Sequence, residues 1–349
     1  MPQVVSVATA VPPYQYSQTQ VTHCYGRLHG DHPETVAAFS ILDHSGVENR
    51  YLCFPPEYYL AGHSFERRNR DYVEQALALS EQAIRACLDR GEVAPDRINH
   101  IVLITTTGLA TPSLDAMLVQ RIPLSPEVRR TPIFGVGCAG GAVGLARTIE
   151  FLHAHPNHLA LLVSVELCGQ TFDASDQSKL GAVAVSLFGD GAAAVLLAGD
   201  EHTVEGPRCL GSQSVFFPDS LDIMGWDFTN EGMRLVLSRR LPALVKRKMP
   251  HVIAGFLSAY GLSRDEVKYW IFHPGSGKVL DAYESSLELP PEKLIWAREF
   301  LRQYANLSSA SVLFILNEII ERGNPQPGDY GLVVAVGPGF SAELVLLQW

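Results

Sequence analysis

Residues 96–108, DRINHIVLITTTG, and residues 265–277, DEVKYWIFHPGSG, are two versions of one pattern. Each has an acidic start, a run of β-branched and aromatic residues with the length and composition of a buried strand, and a glycine-bearing loop. Each also follows a helix-like segment: SEQAIRACLDRGEVAP before the first and VIAGFLSAYGLSR before the second. Working outward, TPIFGVGCAGGAVGLARTIEFL (131–152) has a counterpart in ANLSSASVLFILNEII (305–320), both with small residues opening an apolar, helix-like run. VAVSLFGDGAAAVLLAG (183–199) pairs with GLVVAVGPGFSAELVLLQ (331–348), each read as a strand, a Gly-x-Gly turn and a second strand. Matching segments in the same order imply a duplication whose halves meet near 206–220. The first half is taken as 1–210 and the second as 211–349. Strands alternating with helices predict a layered α/β fold. The runs after Cys138 and Asn306 are apolar on nearly every face, so both should be helices buried between sheets.

Composition narrows the function classes. With 349 residues, 47% hydrophobic and 18% charged, the chain can bury an extensive core of about two units of domain size. A formal net charge of −10 argues against non-specific nucleic-acid binding, which depends on neutralising phosphates. No run approaches the ~18 apolar residues of a membrane span, and MPQVVSVATAVPP lacks the basic opening of a signal peptide. The six cysteines show no CxxC and no tight framework. In a chain of this size that predicts reduced thiols in a cytoplasm.

One cysteine stands apart. GVGCAGGAVG (135–144) sets Cys138 among glycines at the start of a helix, where free amides and the helix dipole favour a thiolate. Gly137, Gly140 and Gly141 leave room for a substrate or another backbone. Free cysteine is also a common packing residue, so this stretch alone leaves both readings open. The second half supplies partners: His273 ends a strand before the loop HPGSGK, and Asn306 opens the second buried helix in YANLSSA. Symmetric packing of the halves would bring both to Cys138, the imidazole as base or ion-pair partner and the amide as a donor to a developing oxyanion. GVGCAG also fits a dinucleotide fingerprint, with Glu166 as the ribose acid, but such a site would open the fold rather than lie mid-chain. The order Cys, His, Asn matches papain-like proteases without their local cysteine signature. HAHPNH (153–158) reads as an exposed turn rather than a metal site.

Taken together, TTTGLATPS (105–113), GCAGG (137–141), LFGDGAAAV (187–195), HPG (273–275), YANLSSASVLFILNE (304–318) and GPGF (337–340) resemble the type III polyketide synthases, the chalcone synthase-like branch of the thiolase superfamily. The resemblance spans nearly the whole chain. It implies a five-layered αβαβα fold, a homodimer, and Cys138, His273 and Asn306 as the catalytic triad. It implies loading of an acyl-CoA starter on Cys138, extension by malonyl-CoA, and no metal or cofactor beyond coenzyme A thioesters. Phe188 matches the aromatic gatekeeper, and Leu235 stands where plant enzymes carry a second phenylalanine. Cys168, Thr171, Thr106, Thr111, Ser308, Gly337 and Pro338 are the expected substrate-cavity residues; Arg50, Ser276 and Lys278 are those expected at coenzyme A. HPGS replaces the plant HPGG, and MGWDF (224–228) is a bacterial-looking variant. Small residues at 168–171 predict a tunnel for medium or long acyl chains and an alkylpyrone or alkylresorcinol product. A ketoacyl synthase III-like enzyme, condensing once with the same triad, is the alternative.

Overall fold

The computed structural model describes residues 1–30, 39–40 and 45–349. The strands are β1 (Gln3–Ala10), β2 (Tyr14–Ser17), β3 (Asn49–Leu52), β4 (His100–Ile104), β5 (Arg129–Ile133), β6 (Leu159–Leu167), β7 (Asp190–Ala198), β8 (Arg208–Phe216), β9 (Met224–Thr229), β10 (Gly232–Leu237), β11 (Val267–Phe272), β12 (Tyr330–Gly337) and β13 (Ser341–Gln348). The helices whose bounds fall within the described residues are α1 (Gln18–His29), α2 (Pro56–Ala61), α3 (Phe65–Arg90), α4 (Leu114–Arg121), α5 (Gly140–Ala154), α6 (Lys179–Leu187), α7 (Leu241–Ser258), α8 (Gly277–Leu287), α9 (Ile295–Tyr304) and α10 (Ser311–Arg322).

Nine strands join in the order β11-β12-β13-β8-β1-β7-β6-β4-β5. The first half contributes β1, β7, β6, β4 and β5. The second contributes β8, β13, β12 and β11. Each half has the same plan, antiparallel strands at the junction leading outward to parallel strands: β4 lies parallel to β6, and β11 parallel to β12. The halves meet where Gln3 of β1 pairs with Arg208 of β8. Residue 210 therefore lies within β8.

Strand alternation divides the core. On β4 and β6, Val102, Ile104, Ala160 and Leu162 face one apolar cluster, while Ile101, Leu103, Leu161 and Val163 face another. The second cluster packs under α3 and α4. The first holds α5 and α10 between the two half-sheets, and α7 and α8 cover the far side. Helix, sheet, helix pair, sheet, helix is the expected αβαβα order. The helices α5 and α10 have buried residues around most of their circumference, as Ala142, Leu145, Ala146, Ile149 and Val312–Leu316 illustrate.

One segment departs from expectation. VAVSL (183–187), read as a strand, is the end of α6, started by Ser178, whose side chain accepts from Gly181 N at 3.0 Å. The counterpart of β12 is thus β6, and residues 168–189 are an excursion between β6 and β7. That excursion and the β9–β10 hairpin form walls of the candidate site.

Candidate active site

Cys138 sits in a 3-10 turn, Gly137–Ala139, that runs into α5. The surrounding glycines accommodate the other half of the chain. A Cβ on Gly137 would lie 2.6 Å from Pro338 Cδ, and one on Gly140 would lie 2.8 Å from Ser309 Cβ. A Cβ on Gly337 would lie 2.6 Å from that of Ala139. The room at these glycines is taken by protein, not by substrate.

His273 follows β11, its N–H donating to Val334 O at 2.8 Å. Asn306 follows α9 through Ala305, which has φ +63°. Its amide is fixed at both ends: Nδ2 donates to Gly275 O at 3.3 Å, and Oδ1 accepts from Ser308 N at 2.8 Å. Cys138, His273, Asn306 and Ser308 line one cavity, with Phe188, Trp226, Leu235, Ser276 and Pro338 among its other walls. The Cys138 sulfur lies 3.6 Å from Ser308 Oγ.

The electrostatics differ from expectation. Burial pushes the Cys138 thiol up to about 11, and nearby Glu166 adds to this, while hydrogen bonds from Ser308 and Asn306 oppose it. Burial pushes the His273 imidazole down to about 3, and among the described residues neither ring nitrogen has a hydrogen-bond partner. The helix-terminal amides do not outweigh desolvation, and both shifts favour the uncharged forms of thiol and imidazole. Such an imidazole can take the thiol proton at one nitrogen and offer an N–H at the other.

Phe188 is held by its backbone to the triad. The flanking bonds are Asn306 N to Leu187 O at 2.8 Å and Gly189 N to Asn306 O at 3.1 Å. Its ring lies 6.2 Å from that of Trp226, and Trp226 pairs across the hairpin with Leu235. These three residues form the partition to a second, larger cavity of about 1020 Å³, which includes open space. Cys168 and Thr171 line this second space, alongside Leu52, Tyr59 and Met233. Trp226 is thus the aromatic partner that the leucine at 235 seemed to remove; cross-strand pairing exposes it, and a motif comparison at 235 alone does not.

Several expected positions fall elsewhere. Arg50 is 2% exposed and donates to the carbonyls of Ser186 and Phe188 at 2.9 and 2.8 Å, and also to Val185 O and Gln18 Oε1. It ties down the carbonyl end of α6, and the little of it that is exposed lies in the wall of the second cavity. Ser276 lines the triad cavity and also caps α8, accepting from Val279 N. Lys278 is exposed on the first turn of α8. Thr106 and Thr111 line neither cavity: Thr106 N–H is turned to Glu166 Oε2 at 3.0 Å, and Thr111 is at the surface. Gly337 packs against Ala139 rather than open space.

Glu166 is a buried acid rather than a ribose ligand. It accepts from Thr106 N and Thr107 Oγ1 of the first half and from Ser309 Oγ of the second. Burial lifts its carboxyl to about 7 against those bonds. Among the described residues no cluster of metal-binding side chains occurs, and no helix is long and apolar enough to cross a membrane.

The fold, with a cysteine, a histidine and an asparagine converging from its two halves, is that of a thiolase-type acyltransferase. Family models for the N-terminal and C-terminal domains of chalcone and stilbene synthases match residues 2–201 and 210–349, and the chain belongs to that family. It is 39% identical to a 1,3,6,8-tetrahydroxynaphthalene synthase of Streptomyces peucetius subsp. caesius over 99% of this chain and 93% of that protein. It is 36% identical to a putative chalcone synthase of Bacillus subtilis over 99% and 98%. The crystal structure of 1,3,6,8-tetrahydroxynaphthalene synthase from Streptomyces coelicolor A3(2), a bacterial type III polyketide synthase, superimposes with a TM-score of 0.95 at 28% identity, covering 99% of both chains. The chain is accordingly a type III polyketide synthase, an acyltransferase using coenzyme A thioesters with no further cofactor.

Proposed function

We propose that Cys138 carries the growing acyl chain while His273 and Asn306 promote its extension. In loading, the Cys138 thiol gives its proton to His273 as sulfur attacks the starter thioester, and coenzyme A leaves with that proton. Malonyl-CoA then loses its carboxylate as carbon dioxide. The bonding electrons pass into a thioester enolate whose oxygen accepts hydrogen bonds from Asn306 Nδ2 and the His273 N–H. The enolate carbon attacks the Cys138 thioester, forming the new carbon–carbon bond and releasing the thiolate. The neutral, unpartnered imidazole supports this division of roles, since a histidine already charged could not accept the thiol proton.

For the starter we infer a medium or long fatty acyl-CoA and an alkylpyrone or alkylresorcinol product. The observation that carries this reading is the apolar second cavity beyond Phe188, Trp226 and Leu235, with Cys168 and Thr171 in its wall. Each methylene buried there contributes about 0.8 kcal/mol. A second reading, a small starter and a polyhydroxylated ring, is favoured by the relatives named for tetrahydroxynaphthalene. Product masses from octanoyl-CoA, longer acyl-CoAs and malonyl-CoA alone separate the two. Cys168→Phe should shorten the accepted chain and spare short starters; a wild-type enzyme that ignores octanoyl-CoA and longer chains would defeat the alkyl reading. Lys278 and Ser276 remain the residues proposed to meet coenzyme A.

We also infer a homodimer in a cytoplasm. Among the described residues the edge strand β5 has one side unpaired, a feature proteins usually cover. Beside it Phe134 is 48% exposed, with its ring near that of the 53% exposed Phe228. The six cysteines are free thiols, as expected of a reducing compartment. The two halves are proposed as units of one folding body, with the triad at their junction.

A further inference from the structure

The chain carries ten more acids than bases, yet from Gly232 to Arg264 there is no Asp or Glu at all. The same stretch contains Arg234, Arg239, Arg240, Lys246, Arg247, Lys248 and Arg264. Arg234, Arg240 and Arg264 are engaged by acids from outside it. Among the described residues, Arg239, Lys246, Arg247 and Lys248 have no ion-pair partner, and all four are exposed.

This cationic stretch starts at the active site. Leu237 and Leu241, which bracket Arg239 and Arg240, both line the triad cavity. The helix α7 then buries Leu241, Val245, Met249 and Ile253, which leaves Lys246, Arg247 and Lys248 on its outer side. Lys248 lies 5.9 Å from the ring centre of Phe217. Next to Phe217, Phe216 is 59% exposed, and Leu221 is 75% exposed. Phe216 also packs on Gly339, one residue from the cavity-lining Pro338. The surface therefore combines exposed large apolar side chains with unpaired cations, the composition of a protein-docking rim. Lys246, Arg247 and Lys248 lie more than a helical turn beyond the cavity-lining Leu241.

We propose that this surface docks an acidic carrier protein whose pantetheine arm delivers an acyl thioester to Cys138. The rest of the chain, net negative, would repel such a partner; the 232–264 stretch would attract and orient it at the one place where its thioester can enter. Delivery is a thiol–thioester exchange: the Cys138–acyl bond forms, the carrier's pantetheine–acyl bond breaks, and the thiol proton leaves with the pantetheine sulfur. The proposal rests on Cys138 as the loading site; the anisotropy arm of its test is independent of starter length, and the loading arm uses the medium-chain starter inferred above.

The test compares the wild type with the triple variant Lys246→Glu, Arg247→Glu, Lys248→Glu. Binding of a fluorescently labelled, phosphopantetheinylated bacterial acyl carrier protein is read by anisotropy. Transfer to Cys138 is read by intact mass from the octanoyl-carrier and from octanoyl-CoA. The expected result is a loss of about tenfold or more in carrier binding and carrier-dependent loading, with loading from octanoyl-CoA within about twofold. Rising salt should weaken wild-type carrier binding and leave the variant unaffected. No carrier binding by wild type, or an undiminished affinity in the variant, overturns the proposal. So does an equal loss with both donors, which would make the stretch a coenzyme A phosphate site. A variant altered only in sedimentation, or only in retention on phosphatidylglycerol vesicles, would assign the surface to a second copy or to a membrane instead. Loading from octanoyl-CoA by wild type tests the Cys138 reading separately.

Discussion

Gly141→Ala adds one methyl group where the two halves touch. That methyl would lie 2.6 Å from Val312 Cγ2 and nearer still to the Ser309 carbonyl oxygen. Carbon atoms attract at about 3.5–4.0 Å, so the overlap is about 1 Å. The Ser309 carbonyl belongs to the backbone beside Ser308 and Asn306 and cannot swing away as a side-chain tip could. Relief requires α5 and the turn before α10 to separate, at a cost of about 1–3 kcal/mol. The same shift moves Asn306 and Ser308 away from Cys138, and a misplacement of about 1 Å costs a catalytic site on the order of 100-fold. Thermal unfolding and malonyl-CoA decarboxylation should both fall, whereas alkylation of Cys138 should persist because the thiol stays in place. Gly255→Ala is the control: it is an exposed position inside α7 with nothing within 4 Å of an added Cβ, and it should gain up to about 1 kcal/mol. A Gly141→Ala enzyme with wild-type melting and full decarboxylation would refute the view that these glycines set the spacing of the site.

Because burial lifts the Cys138 thiol to about 11, iodoacetamide should react slowly near neutrality and faster as pH climbs through 9 and 10; a rate already at its plateau at pH 7 would mean a resting ion pair with His273. The Glu166 carboxyl is raised from 4.5 to about 7 in the fold, so the native state holds its proton more tightly than the unfolded chain. Its cost to stability is absent below about 4.5, grows as pH rises to about 7, and amounts there to about 3 kcal/mol. Glu166→Gln should flatten the fall in melting temperature across that window, and an unchanged pH profile would contradict the assignment.

Much of this organisation was legible in the chain. β4 and β11 could be read because a buried strand in a parallel sheet is a short, continuous β-branched run, and the repeat supplied the pairing of halves. The convergence of Cys138, His273 and Asn306 on one cavity follows from that same repeat. VAVSL was misread because its β-branched residues suit a strand, while the element is decided by Ser178, five residues upstream, and by packing. Arg50 looked like a phosphate ligand because charge is visible in sequence and burial is not. The carbonyls it binds belong to residues more than 130 positions away. Trp226 was overlooked as a partition residue because its nearness to Phe188 depends on the register of a hairpin. The thiol was expected to be acidic because a helix start is local and readable, whereas desolvation by the opposite half is not.

The glycine contacts have a further consequence. Cys138 sits in the turn that opens one half's central helix, and the groups that serve it belong to the other. The alignment of the reacting atoms is therefore a measurement of how closely two lobes are seated, held in β1 and β8 by the Gln3–Arg208 register and inside by Gly137, Gly141 and Gly337. Turnover should then be the first property lost when the lobes loosen: in mild urea, condensation would fade while each lobe keeps its helices and strands, and the enzyme would act as its own gauge of fit.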